Sequence, residues 1–241
     1  MGAVAESWTS PQSILVILAH PDDPEFFCGA SIALWTSQGH TVDYCLFTRG
    51  DKGVNGKLVD PAELAQIRER EQRAAADVLG VMAIEFLDYA DGYLVPDLNA
   101  RREIVRVIRR KKPDIVVTCD PTNIFFRENR INHPDHRAAG QIVADAVFPA
   151  CGNPLFFPEL RAEGLEAHEV KELLFSLPIP ANWSIDVTAT WELKYKALLN
   201  HRSQIQNPDA LYKNLLSRRV PPSSEQDPRF EEYFRRIVFS G

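Results

Sequence analysis

Two short segments hold most of the chain's chemically versatile side chains. In Ala19-His20-Pro21-Asp22-Asp23-Pro24-Glu25 an apolar run stops and polar or proline residues follow at once. His20 and Asp23 are three residues apart in a proline-bounded turn, so both side chains can converge on one point. In His133-Pro134-Asp135-His136 two histidines, also three apart, open a helical pattern and share one of its faces. Three of the six histidines fall in these segments. Two imidazoles and one carboxylate suit zinc in a catalytic site that leaves a position open. Bound zinc makes water more acidic and polarises a carbonyl. Asp22 stands beside such ligands as a base for the water's proton, and His133 as a group to stabilise an oxyanion or protonate a leaving nitrogen. Each segment alone has a plainer reading: Asp22-Asp23 suits a turn, and Asp135 suits a helix N-terminus. The same ligand types also form the facial triad of non-haem iron oxygenases, but those sit on jelly-roll barrels and this chain is patterned differently.

The pattern around these segments tells which elements must carry them. Ser13 to Ala19 is an unbroken apolar run, as expected of a strand buried on both faces. A helix is expected over Glu25 to Gln38, stopped by Gly39. Strands follow at Thr41 to Thr48, Ala83 to Leu87 and Asp114 to Cys119. Helices are expected at Asp60 to Leu79 (Asp60 as cap, Pro61 in the first turn), Leu98 to Lys112, and His133 to Phe148. Strand and helix alternate throughout, which predicts a single-domain α/β fold of Rossmann-like type, a mostly parallel sheet flanked by helices. In such sheets ligands bind beyond the carboxyl ends of the strands, where His20 to Asp23, Arg49 to Gly53 and Asp120 to Asn123 all fall. Val170 to Ser176 and Trp183 to Val187 read as further strands, and Thr188 to His201 as a helix. Residues 1–12 read as a flexible arm, 13–241 as one domain. The tail from Val220, with Phe230, Tyr233, Phe234 and Phe239, reads as a lid or a partner contact.

The 241 residues, 45% hydrophobic, suffice for one sizeable core. The net charge of -6, with Lys and Arg dispersed, speaks against a nucleic-acid partner. The run Arg109-Arg110-Lys111-Lys112 reads as charge complementing a helix C-terminus. Cys28, Cys45, Cys119 and Cys151 lie in or beside apolar runs and read as buried thiols. No apolar run is long enough for a membrane span and no signal peptide pattern opens the sequence, so a soluble cytoplasmic protein is expected.

These segments resemble the PIG-L/LmbE-like de-N-acetylases. AHPDDPEFFCGA matches the family's first motif, Asn132-His133-Pro134-Asp135-His136-Arg137 its second, and Thr48-Arg49-Gly50-Asp51-Lys52-Gly53 its third. Lys196 to Leu199 leading into His201-Arg202-Ser203-Gln204 matches a fourth. The resemblance implies zinc-dependent hydrolysis of an N-acyl group, typically from an N-acetylglucosamine derivative. It assigns His20, Asp23 and His136 as ligands of one Zn2+ per chain, with another divalent ion such as Fe2+ as the alternative. It makes Asp22 the general base and His133 the electrostatic or acid partner. Arg49 and Asp51 are implied to face the substrate, Asp135 to orient His133 or hold the helix start, and His201 to support the site from behind or form an oligomer contact. Relatives often assemble as trimers or hexamers, so a homo-oligomer is an expected partner state beside an amidosugar-type substrate.

Two departures bear on the substrate. Ala30 replaces a glycine common in the family. The stretch before His133 carries Phe125, Phe126, Arg127, Glu128 and Arg130. It reads either as a surface loop or as a substrate-selecting one, in which Phe126 could stack on a sugar ring and Arg127 and Arg130 meet an anion. Other chemistries stay open on the same residues: an amidase or deacylase for a thiol conjugate or lipid-linked amide, or a non-catalytic metal- or sugar-binding protein.

Overall fold

The first strand belongs to two cores at once. In β1 (Ser13–Leu18), Ile14, Val16 and Leu18 face one hydrophobic cluster while Leu15 and Ile17 face the other. The computed structural model describes residues 8–54, 56, 58–127, 130–224 and 226–239, the side chains of Phe126 and Arg127 excepted. Beside β1 lie β2 (Thr41–Thr48), β3 (Ala83–Tyr89), β4 (Ile115–Cys119) and, across a small hairpin of β5 (Phe125–Arg127) and β6 (Arg130–Ile131), β7 (Glu172–Ser176), β8 (Trp183–Asp186) and β9 (Glu231–Val238). The main sheet runs β3-β2-β1-β4-β7-β9-β8. Its first five strands are parallel, and β9 is antiparallel to both its neighbours. The α/β architecture expected from the sequence is therefore present, mostly parallel and flanked by helices.

Helices α1 (Asp23–Ser37), α2 (Pro61–Leu79) and α6 (Trp191–Leu198) contact one another, as do α3 (Leu98–Lys111) and α4 (Pro134–Asp145). Apolar residues of α1, α2 and α6 share one cluster, those of α3 and α4 the other. Asp60 caps α2 through the N–H groups of Ala62 and Glu63, and Gly80 ends it at φ 75. The short α5 (Glu159–Ala162) and α7 (Pro208–Leu216) complete the helices among the described residues. No described helix is long and apolar enough to cross a membrane.

Four local expectations change. The helix beginning at Pro134 ends at Asp145, and a π-type turn follows; Phe148, ahead of Pro149, is extended (φ -130, ψ 122) as a residue before proline must be. Arg109 does not complement a helix end from solvent. It is fully buried and donates to the carbonyls of Ala150, Cys151, Asn153 and Phe156, using the guanidinium as a multi-donor hub. Residues 8–12 are not a free arm: Trp8 lies against Trp35, Trp183 and His40 and donates to Glu172. The tail contributes an internal strand, because residues 231–238 sit between β7 and β8 rather than forming a lid.

That last strand also braces α1. The helix breaks at Cys28 (φ -146), and Glu232 of β9 accepts hydrogen bonds from the restarted N–H groups of Ala30 (3.3 Å) and Ser31 (2.7 Å). A carboxylate thus takes the place of a helix cap, and Lys194 of α6 pairs with it at 2.6 Å.

Candidate metal centre and active site

β1 and β4 are neighbours, while their following strands lie on opposite sides. A crevice beyond their carboxyl ends is the usual ligand position in such a sheet. His20 to Asp23 leave β1 there, and the chain after β4 returns through the β5–β6 hairpin to His133 and α4. His20 Nδ1 lies 3.2 Å from His136 Nε2. Asp23 reaches both: Oδ1 is 3.0 Å from His136 Nε2 and Oδ2 is 3.3 Å from His20 Nδ1. Bonds of about 2.0–2.2 Å from one tetrahedral ion place its donors roughly 3.3–3.6 Å apart. The two nitrogens and the two Asp23 oxygens they face lie at or just inside that spacing, and they are donor types zinc takes.

The opposite ring nitrogens are held from outside. His136 Nδ1 meets Asn132 Oδ1 at 3.0 Å. His20 Nε2 meets Asp135 Oδ2 and Asp91 Oδ1, each at 3.2 Å. With those nitrogens donating, His20 Nδ1 and His136 Nε2 are left as lone-pair donors facing Asp23. Asp135 is fully buried and also accepts from the N–H groups of Gly92 (2.7 Å) and Leu94 (3.2 Å). Its role is therefore to orient His20 and tie down the 91–94 loop. Burial alone would raise the Asp23 carboxyl; the facing imidazoles of His136 and His20 hold it far below the usual carboxylate range.

Asp22 adopts a left-handed backbone (φ 84) at the start of α1. Two residues of α2, one helical turn apart, fix it. Gln72 accepts from the Asp22 N–H at 2.7 Å, and Arg68 Nη2 lies 3.1 Å from Asp22 Oδ2. Burial pushes the Asp22 carboxyl up, and Arg68 counteracts. His133 caps α4: its Nδ1 accepts from the Asp135 N–H, leaving Nε2 to carry the proton of the neutral ring. Burial, with the neighbouring His20 and His136, lowers its pKa. Its ring stands edge-on to His20 at 4.6 Å between centroids. A small cleft, lined by Phe27, Asp120, Asn123 and His136 among others, opens beside the cluster.

His201 is fully buried behind this layer, with Nε2 3.1 Å from Glu25 Oε2, and Glu25 in turn accepts from Gln72 and Tyr44. Other expected site residues have different surroundings. The Arg49 guanidinium is engaged by Glu69 and Asp88 and lies 5.0 Å from the Phe86 ring centroid. Asp51 lines a surface groove with Lys52, Val54 and Leu58. Arg130 is exposed on β6, opposite Arg127 in the hairpin; the expected sugar and anion contacts of the Phe126 and Arg127 side chains lie outside the described residues. Sequence reasoning missed Asp91, Asn132, Arg68 and Gln72. For the last two a signal existed, since they fall on the apolar stripe of α2 defined by Leu64, Ala75 and Leu79.

A mostly parallel α/β sheet thus brings His20, Asp23 and His136 together at its switch point, with a second aspartate, Asp22, beside them. The family model described as GlcNAc-PI de-N-acetylase (PIG-L) matches residues 15–147, and the chain belongs to that family. It is 34% identical over 201 residues to diacetylchitobiose deacetylase of Thermococcus kodakarensis, covering 83% of this chain and 73% of the relative. The solved N,N'-diacetylchitobiose deacetylase of Pyrococcus horikoshii, complexed with an inhibitor, superposes with a TM-score of 0.84 at 28% identity, covering 94% of this chain and 84% of that one. A 4-oxalmesaconate hydratase of Pseudomonas putida is 26% identical over 79% of this chain and 73% of its own.

Proposed function

We propose that this chain is a zinc-dependent N-deacetylase acting on an N-acetylglucosamine-type amide. The observation that carries the reading is the meeting of His20 Nδ1, Asp23 and His136 Nε2 at 3.0–3.3 Å, with Asp22 beside them. When bound, the ion polarises the acyl carbonyl and acidifies a water. His20, Asp23 and His136 hold it, and Asn132, Asp91 and Asp135 keep the two imidazoles turned toward it. Asp22 takes the proton of the attacking water at the carboxylate oxygen that Arg68 leaves unpaired. His133, neutral and with Nε2–H as donor, stabilises the oxyanion; the proton gathered at Asp22 then goes to the leaving amine.

The test is metal content by mass spectrometry together with acetate release from N-acetylglucosamine and diacetylchitobiose, with Asp22→Ala as control. Stoichiometric zinc, acetate release and a loss of about 10²–10⁴ in kcat for the variant are expected. Zinc-free protein with an intact site, or an unimpaired variant, overturns the reading. Because a hydratase is also similar to this chain, 4-oxalmesaconate hydration without deacetylation would replace it.

A further inference from the structure

We propose that Tyr93 and Lys52 form a stacking platform at the mouth of the site, for a sugar ring joined to the one that carries the amide. This rests on the reading of the substrate as an N-acetylglucosamine-type amide. Tyr93 is the most exposed of the described Phe, Tyr and Trp residues, at 72%. An exposed aromatic ring by itself is ordinary surface, but this one stands on a fixed loop. The N–H groups on either side of it, Gly92 and Leu94, are taken by the fully buried Asp135. The Tyr93 N–H is taken by the Ala90 carbonyl at 3.1 Å. The Asp91 carboxylate meets His20 Nε2 at 3.2 Å and accepts from the Lys52 N–H at 2.9 Å. Asp91 and Leu94 are each only 5% exposed. The backbone under Tyr93 is thus tied to the side chains that orient a donor histidine, while its ring stands in solvent.

Lys52 decides which face of the ring is offered. Its Nζ donates to the Asp91 carbonyl at 2.6 Å and lies 4.6 Å from the Tyr93 ring centroid. The ammonium covers one face and leaves the other to solvent. It carries three protons, of which the Asp91 carbonyl takes one. An open aromatic face with a hydroxyl-seeking donor at its edge complements a pyranose, whose C–H face is apolar and whose rim is polar. The scissile amide belongs at the donors on the Nδ1 side of His20, whereas Asp91 and the platform lie on the Nε2 side. What meets Tyr93 is therefore remote from the acyl group: the neighbouring ring of a disaccharide. A ring already fixed in place also avoids the ordering cost that a mobile one would incur on binding.

The test compares N,N'-diacetylchitobiose with N-acetylglucosamine in wild type, Tyr93→Ala, Tyr93→Trp and Lys52→Met. For the disaccharide, Tyr93→Ala should raise KM about 3- to 10-fold at unchanged kcat, as for one lost aromatic contact. For the monosaccharide, both constants should stay within about twofold of wild type. Tyr93→Trp should keep the wild-type preference, and Lys52→Met should raise the disaccharide KM about two- to threefold. Calorimetric titration of the zinc-loaded protein with glucosamine and chitobiose, which have no acetyl group to lose, gives a reading independent of turnover. The wild type should bind the disaccharide more tightly, and Tyr93→Ala should lose that margin. Equal effects of Tyr93→Ala on the two sugars, a kcat loss at unchanged KM, or a wild type with no preference for the disaccharide would overturn the platform. A wild type that binds the disaccharide through Tyr93 yet releases no acetate would refute the proposed function and leave the platform standing.

Discussion

Asp135 is buried completely and serves three donors at once: His20 Nε2, Gly92 N–H and Leu94 N–H. Replacing it by asparagine keeps one acceptor oxygen and adds an NH2 that cannot accept from His20. An outer partner of a ligating histidine is worth about 10- to 100-fold in metal affinity, or roughly 1.4–2.7 kcal/mol. Asp91 also reaches His20 Nε2 at 3.2 Å, which places Asp135→Asn near the lower figure and Asp91→Asn/Asp135→Asn near the upper one. Alanine has a second consequence. It strands two loop N–H groups, each costing about 1–3 kcal/mol when left unpaired in the interior. Asp135→Ala should therefore lose about 2–6 kcal/mol of unfolding free energy even without metal, and Asp135→Asn distinctly less. Urea denaturation of metal-free protein gives the first quantity, and zinc titration against a competing chelator the second. Unchanged zinc affinity in the double variant, or an alanine variant within 0.5 kcal/mol of wild type, would refute the reasoning.

Glu232→Ala leaves the Lys194 ammonium, ordinarily paired at 2.6 Å, without its partner and two N–H groups of α1 without an acceptor. A loss of about 3–5 kcal/mol in urea denaturation is expected, and Glu232→Ala/Lys194→Met should recover part of it; a loss below 1 kcal/mol would count against the brace. Trp8→Ala should cost about 1–3 kcal/mol through its contacts with Trp35 and Trp183, read as a lower midpoint at unchanged slope. For His201, burial lowers the pKa but the Glu25 hydrogen bond and charge raise it further, so the folded value lies above the usual one. A raised folded pKa stabilises fully below about pH 6.5, the unfolded value, and that stabilisation disappears as pH rises through the folded value. The stability difference between wild type and His201→Gln in metal-free protein should shrink from pH 6 towards pH 9; a difference independent of pH would exclude a charged pair.

The parallel core was legible because its strands are buried on both faces, so β1 is a continuous apolar run and β2 and β4 are mostly apolar, with helical patterns between them. β9 was not legible, for a specific reason. Its inward positions hold Glu232, Phe234 and Arg236, and its outward ones include Tyr233 and Ile237. Two of three inward residues are charged and paired, with Lys194 and Glu172, so hydrophobic alternation is masked by salt bridges that only the tertiary fold supplies. The convergence of His20, Asp23 and His136 was legible for the opposite reason: His20 and Asp23 lie within one turn, and so do His133 and His136. Asp91 and Asn132 are single polar residues in loops, and nothing local distinguishes them from solvated ones. Asp135 was assigned to His133 or the helix start because both are adjacent in sequence, whereas its side chain crosses to His20.

The position of β9 has a consequence for the order in which the chain can be assembled. Both halves of the candidate site lie before residue 137, and a ribosome delivers them first. The sheet, however, cannot close in that order. Until residues 231–238 are available, β7 has one unpaired edge, β8 has no partner in the sheet, and the restarted half of α1 lacks its carboxylate. Vectorial synthesis therefore presents an early intermediate with the donor residues present and an open, apolar strand edge, a form prone to pairing with another chain. The sheet is completed only when residues 231–238 pair with β7 and β8.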